Sequence, residues 1–304
     1  MEPYFFVNGF SDVPELQPLI FPLVLLIYLI TLGGNITILL LVCLDSHLHT
    51  PMYFFLCNLS MLDIASSTVT LHKVLLICVT GDSVVTLTDC MTQLHVYTWL
   101  CGNELVLLTA MSYDRYVAIC NPLRYSAVMN NKVCVGLALF CWSFSILQPI
   151  PMIVVVSRLS CFTTNIIDHF FCDLMPLMTI SCSDVYALKL VIFADGALFS
   201  TFIPFLLTFI SYAFIISTIM RIKSRTGRSK AFYTCSSHLT VVILLYLTLA
   251  CQYMTPSGTF KSTKIFSLLN TTVVPMLNPF IYSLKNKDVK SAFHRKFKYV
   301  KSFV

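Results

Sequence analysis

The sequence predicts an all-α membrane protein: a bundle of seven transmembrane helices, N-terminus outside, with a short amphipathic helix after the seventh span. Three observations carry this expectation. Of 304 residues, 57% are hydrophobic and only 11% charged, with a mean hydropathy of +0.81. A soluble domain carries roughly 25% charged residues, so this chain cannot cover a water-exposed surface of its size. The apolar stretches recur at about the length that crosses a bilayer, roughly 20 residues. The basic residues, finally, are distributed very unevenly among the connections.

The spans run 19–44, 52–78, 90–113, 133–157, 186–220, 236–255 and 265–284. In hydrocarbon every backbone N–H must find its partner internally, which makes these spans helices. Their odd number sends the two termini to opposite sides. With the N-terminus outside, 15 of the 20 Lys and Arg lie on the inner side. Arg115, Arg124 and Lys132 follow span three; Arg221, Lys223, Arg225, Arg228 and Lys230 separate spans five and six; the rest follow span seven, from Lys285 to Lys301. Cytoplasmic loops hold the excess of positive charge, so the N-terminus is expected outside. The arm agrees, with Glu2, Asp12 and Glu15 and no basic residue. The net charge of +6 therefore reflects topology in a lipid bilayer and points to no nucleic-acid partner. A single domain over 1–304 is expected: an extracellular arm 1–18, the bundle 19–284 and a cytoplasmic tail 285–304. No cleavable signal peptide is expected, since "MEPYFF" lacks a positive n-region and the first apolar run is too long for an h-region.

Topology also sorts the thirteen cysteines. Cys90, Cys161, Cys172 and Cys182 fall on the outer side, where disulfides persist. Four cysteines allow three pairings, and the spacing chooses none of them. The others read as small apolar packing residues.

One stretch poses a sharper question. In "AMSYDRYVAIC" at 110–120 an acid and an arginine, Asp114 and Arg115, interrupt an apolar run. From Cys90 to Arg115 is about 37 Å of helix, more than a ~30 Å hydrocarbon core, which sets Arg115 at the inner water boundary. A snorkelling arginine would suit that depth. The adjacent carboxylate favours a guanidinium held by a charge-assisted bond, a latch that can open.

"MSYDRYVAIC" resembles the "DRY" region of rhodopsin-like G-protein-coupled receptors in its odorant-receptor form. "LHTPMYFFL" at 48–56, "KAFYTCSSHL" at 230–239 and "PMLNPFIYSL" at 275–284 are similar to that family's motifs at the starts of spans two and six and in span seven. "GN" at 34–35 and "SY" at 211–212 are weaker matches. The motifs occur in order from span one to span seven and cover nearly the whole chain. The resemblance implies a plasma-membrane receptor, not an enzyme, that binds a small organic odorant. It would activate a stimulatory olfactory-type G protein and raise cyclic AMP. It implies the disulfides Cys90–Cys172 and Cys161–Cys182. It further implies a G-protein switch made of Asp114, Arg115, Tyr116, Tyr212, His238, Asn278, Pro279 and Tyr282.

The resemblance points to a ligand site of Tyr97, Thr98, Cys101 and Gly102 on span three, Phe193, Gly196, Ala197 and Ser200 on span five, Tyr246, Leu249, Gln252 and Tyr253 on span six, and Thr271 on span seven. Helical spacing is consistent: Tyr97, Cys101 and Glu104 share one face, as do Tyr246, Leu249 and Tyr253. Such stripes also serve plain helix packing. The set is mostly apolar with a few hydroxyls, which suits an uncharged or weakly polar ligand. Asp63 and Glu104 both lie about 17 Å from the inner face. Charges at that depth are costly and usually functional. The family implies a sodium site there; the other reading is a protonated, hydrogen-bonded acid. No cofactor is expected beyond that sodium ion.

Other features limit the class. Amine receptors place an acid on span three where Tyr97 stands, and opsins place a lysine within span seven, where 265–284 has none. Asp195 suits either a polar ligand or a hydrogen bond toward span four. The arm lacks the glycosylation sequon usual in similar receptors, and span six reads "LLYL" at 244–247 where relatives often have Phe-Tyr-Gly. The alternatives are a non-olfactory chemosensory receptor of the same class, a transporter, or a membrane enzyme. A transporter tends to carry internal repeats, and none is visible. The seven histidines lack metal-ligand spacing, with His169 beside Cys172 the nearest approach to a soft-metal pair.

Overall fold

A computed structural model describes residues 4–9, 17–159, 161–254, 260–284 and 287–301. Eight long helical stretches dominate it. They are α1 (Gln17–Leu44), α2 (Pro51–Thr80), α3 (Leu87–Cys120), α4 (Asn131–Val156), α5 (Tyr186–Arg221), α6 (Arg225–Met254), α7 (260–284) and α8 (Lys287–Lys301). Among the described residues six helices, α1, α2 and α4 to α7, are long and apolar enough to cross a membrane. α3 is less apolar because it carries Asp89, Glu104, Asp114 and Arg115. It is nonetheless the hub of the bundle, packed against α2, α4, α5 and α6.

Local chemistry sets the helix ends. Pro51 opens α2 at a position where its missing N–H costs nothing, and Gly81 closes it in the left-handed region at φ 72°, its N–H on the Ile77 carbonyl. Thr86 caps α3 by accepting from the Asp89 N–H, and Asn130 caps α4 by accepting from the Val133 N–H. α4 breaks at Gln148 and Pro149 and resumes at Ile150. α5 and α7 each contain a π-helical stretch, Ile192–Phe202 and Leu269–Val273.

The bundle core joins leucines of α2, α3 and α6 with Met111 and Tyr282. The outward faces carry Leu23, Leu26, Leu29, Phe205, Phe209 and Phe214, all more than 40% exposed. Apolar cover on that scale belongs against lipid, not water.

The structure departs from the sequence expectation at three points. An all-α protein was expected, but a small three-stranded sheet covers one end. The N-terminal strand β1 (Tyr4–Val7) pairs antiparallel with β2 (Val84–Thr86) and parallel with β3 (Ile166–Ile167). Phe5 and Val7 point inward from β1 and are fully buried. Its sequence, YFFV, is apolar on both faces, so no alternation marked it as a strand. The sheet, the short helix Leu174–Ile180 and the α4–α5 loop form a cap. The opposite end, where α8 lies, is called the tail end below.

Second, α6 starts at Arg225, well before the expected 236, because the basic stretch with Arg228 and Lys230 continues the helix beyond its apolar part. Third, α3 does not end at 113. It runs on to Cys120, so the Asp114–Arg115 pair lies inside the helix and is buried, Arg115 being only 8% exposed. Mutual neutralisation removes the need for bulk water that would have ended the span.

Candidate functional site

The tail end holds six of the expected switch residues, Asp114, Arg115, Tyr116, Tyr212, His238 and Tyr282, while Asn278 and Pro279 lie midway along the bundle. Asp114 holds Arg115 through the Nε–H at 2.9 Å and a second contact from Nη2. Its other oxygen accepts from the Tyr125 hydroxyl at 2.7 Å. Both carboxylate oxygens are thus engaged. Across from them the Tyr212 hydroxyl lies 2.6 Å from His238 Nδ1, and His238 Nε2 lies 3.1 Å from the Leu108 carbonyl. A carbonyl only accepts, so Nε2 carries the proton and Nδ1 accepts from Tyr212. One histidine therefore ties α5 and α6 to α3. Tyr116 is half-buried, edge-on to Phe214 of α5 at 5.9 Å. The Tyr282 hydroxyl is buried and has no hydrogen-bond partner among the described residues.

Midway along the bundle the Asn278 amide donates to both oxygens of Asp63 at 3.0 and 3.1 Å. Asn35 donates to the Thr31 and Pro275 carbonyls, locking α1 onto α7. Pro279 packs against Gly34, where a Cβ would stand 3.1 Å from its ring carbons. Glu104 is buried within electrostatic reach of Asp63. Glu104 Oε1, Asn278 Oδ1 and both amide atoms of Asn103 have no partner among the described residues.

Toward the cap lie the expected ligand residues. The Tyr97 ring meets Phe171 edge-on at 4.8 Å. The Thr98 hydroxyl is spent on the Leu94 carbonyl, and Cys101 faces Asn270. Ser200, Leu249 and Thr271 are buried. Tyr246 packs edge-on against Phe205 at 5.1 Å, and its buried hydroxyl has no partner among the described residues. Gln252 donates to Asp173 of the cap at 3.3 Å, and its Oε1 has no partner among the described residues. Gly196 is half-buried, and its carbonyl accepts from Thr201. Thus both π-helical stretches carry expected ligand residues, a known association of that geometry with function.

Two of the expected residues stand apart. Phe193 is 63% exposed, on the outward face of α5. Gly102 turns to α4, with Gln148 Oε1 3.5 Å from where its Cβ would be. The side chains of Ala197, Tyr253 and Asp195 lie outside the described residues.

The cap closes over this layer. Cys90–Cys172 and Cys161–Cys182 are both bonded. Gln93 accepts from the Cys172 N–H, and Lys264 of α7 pairs with Asp168 at 2.9 Å. Burial pushes the Asp173 carboxyl up to about 6, against the opposing Leu174 N–H and Gln252 amide. Burial, helped by Lys264, pulls His169 down to about 3. Its ring stacks on Phe170 at 4.5 Å and meets Phe171 edge-on at 4.7 Å, the three rings forming one cluster. Among those residues no group of three His, Cys, Asp or Glu is arranged to hold a metal.

Sequence reasoning missed Asp173, Asn103 and Tyr125. Asn103, a polar residue deep in a span beside Glu104, carried a usable signal. Asp173 adjoins a cap cysteine and gained meaning only once that cysteine was bonded to α3. Tyr125 follows a turn and carried no signal.

Long apolar helices around a buried polar core, under a disulfide-bonded cap, define a multi-pass helical membrane protein. The chain matches the olfactory receptor family over residues 24–299. It is 43% identical to human olfactory receptor 6C3 over 95% of this chain and 93% of the relative. It is 42% identical to mouse olfactory receptor 5AR1 over 96% and 94%, and 44% identical to mouse olfactory receptor 8G50 over 96% and 94%. The chain belongs to the olfactory receptor family. It is accordingly a G-protein-coupled receptor, not an enzyme, resident as a multi-pass protein in the plasma membrane.

Proposed function

We propose that this receptor binds a small, uncharged or weakly polar odorant between α3, α5, α6 and α7 beneath the cap, and couples that event to a stimulatory olfactory-type G protein that raises cyclic AMP. In this reading α3 is the seventh crossing, the cap is extracellular and the tail end is cytoplasmic. One observation carries the proposal: in the layer beneath the cap, α6 holds buried polar atoms, the Tyr246 hydroxyl and Gln252 Oε1, that have no partner among the described residues. Buried polar groups are normally satisfied, and an odorant hydroxyl or carbonyl supplies what is missing. Arg115 lies about 27 Å along α3 from Tyr97. Ligand and G protein cannot touch over that distance, so coupling runs through a two-state bundle. The Asp114–Arg115–Tyr125 cluster and the Tyr212–His238 bond are the contacts that distinguish the states, with Tyr116, Asn278, Pro279 and Tyr282 along the same path.

A sodium ion between the states fits the middle layer. Hard cations take oxygen ligands. Asp63 and Glu104 supply carboxylates, while Glu104 Oε1 and Asn278 Oδ1 have no partner among the described residues. Bound there, the ion would offset one carboxylate charge, the second acid keeping its proton, and would hold α2, α3 and α7 together at rest.

The test is a cyclic AMP assay of the expressed receptor against a chemically diverse odorant panel. An activating odorant is expected to lose its response in Arg115→Ala at matched surface level while still binding. Full output from that variant overturns the switch. Equal sodium sensitivity of agonist binding in wild type and Glu104→Gln overturns the ion site.

A further inference from the structure

A cavity of about 320 Å³ lies far from the odorant layer, at the tail end between α1, α7 and α8. Two adjacent glycines make it. Gly34 brings α1 against Pro279, where even a Cβ would be tight at 3.1 Å. Gly33 points beside that contact, and a Cβ there would meet nothing within 4 Å. One glycine lets the helices touch, and the other leaves the slot open. The slot follows α1 from Gly33 to Leu41, about 12 Å of helix rise. That is close to the depth of one leaflet, half of a ~30 Å hydrocarbon core.

The lining is apolar along the slot and basic at its mouth. Ile38, Leu41 and Val289 are buried in its walls, while Phe280 and Phe293 are 43% and 40% exposed, so it opens sideways toward lipid. Lys290 and His294 stand at the α8 end, one turn apart on the same face. The neighbouring charges are already engaged: Arg295 holds Asp45 at 2.7 Å, and Asp288 accepts from the Tyr53 hydroxyl at 3.3 Å. Lys290 makes no ion pair among the described residues.

We propose that this slot is a binding site for an anionic glycerophospholipid, one acyl chain lying between α1 and α7 and the phosphate on Lys290 beside His294. An apolar channel of leaflet depth, with at its mouth an ammonium that makes no ion pair among the described residues, matches that amphiphile in both length and charge. With the orientation proposed above, the lipid comes from the cytoplasmic leaflet, where anionic headgroups are concentrated. An occupied slot would splint α1, α7 and α8, the helices that carry Asn35, Pro279 and Arg295, whose partner Asp45 directly follows α1.

The probe is phosphatidylserine with a diazirine on one acyl chain, compared with the matching phosphatidylcholine, in nanodiscs holding the full-length receptor. Photolabelled peptides are mapped by mass spectrometry. Phosphatidylserine is expected to label the peptides holding 33–41 and 287–301 about fivefold more than phosphatidylcholine, the order set by one basic residue at an anionic surface. Lys290→Glu removes that preference. Gly33→Leu fills the slot and lowers labelling of 33–41 by both lipids, with labelling of the exposed α4 face at Leu139 and Phe140 as the internal control. Equal labelling by the two lipids, unmoved by Lys290→Glu, reduces the slot to ordinary annular lipid and overturns the proposal. Cross-links between two receptor chains at 33–41 overturn it too, since a second copy would then fill the slot. The assay needs neither an odorant nor a G protein, so it stands or falls apart from the receptor reading.

Discussion

The cap and the tail end of this receptor are held by different kinds of bond. At the cap, two disulfides, a three-stranded sheet and a buried aromatic cluster fix the α4–α5 loop over the bundle. At the tail end nothing covalent joins the helices among the described residues. Asp114 with Arg115 and Tyr125, Tyr212 with His238, and Asp45 with Arg295 are hydrogen bonds and ion pairs. Each can be exchanged for an equivalent contact with a protein partner, whereas a disulfide cannot. The contrast suits a molecule that keeps one end constant and rearranges the other. The weak point of the cap is therefore folding, and that of the tail end is the balance of states.

The largest effect should come from breaking the cap. Cys172→Ser frees the loop from α3, and loss of a structural disulfide costs roughly 2–5 kcal/mol in small secreted domains. Surface labelling of intact cells should fall to near background. Normal surface level would mean that the sheet and aromatic packing alone suffice.

Next is the tail-end latch. Asp114→Asn keeps a partner for Tyr125 but withdraws the charge opposing Arg115, a charged hydrogen bond worth about 1.5–3 kcal/mol. Basal cyclic AMP should rise at matched surface expression. If only surface level changes, the pair is structural and the contrast between the two ends fails.

A smaller change sharpens the same contrast. Tyr212→Phe deletes the hydroxyl that His238 Nδ1 accepts from, a net loss of about 0.5–1.5 kcal/mol. The purified receptor should melt at a modestly lower temperature, with surface expression nearly intact. A loss as severe as that of Cys172→Ser would count against a switchable bond.

The smallest net effect is a pH response hidden inside the cap. Asp173 has its folded pKa raised from 3.8 to about 6, so its contribution to stability falls as pH rises through that window. His169 is lowered from 6.5 to about 3, so its contribution rises with pH over the overlapping range. Between about pH 4 and 6 the two slopes oppose, and wild-type thermal stability should be nearly flat. Asp173→Asn should leave the histidine alone, and stability should then fall on acidification. His169→Phe should reverse that slope. Parallel curves for the two variants would refute the compensation. At the tail end Asp45 is held down at about 2, chiefly by Arg295. Its contribution is complete above 3.8 and is lost only as pH falls through about 2, outside the cap's window.

Much of this was legible in the sequence. The apolar lengths set where the helices lie, because a bilayer leaves the backbone no other partner. The motifs around Arg115, His238 and Asn278 marked the residues that the fold gathers at the tail end and mid-bundle. Helix ends read less well: apolarity marks where lipid begins, and α3 and α6 run past that boundary. Only the folded chain decided the rest. β1 pairs with strands some 80 and 160 residues away, and nothing local in YFFV specifies those partners. Phe193 and Gly102 share helices with buried neighbours, but rotation about the helix axis turned one outward and the other toward α4. Gly33 and Gly34 are identical in sequence, yet one is a contact and the other an opening because α7 approaches α1 on one side only. A sequence of this kind fixes what each segment must bury. Which neighbour it is buried against is decided when all the helices pack at once.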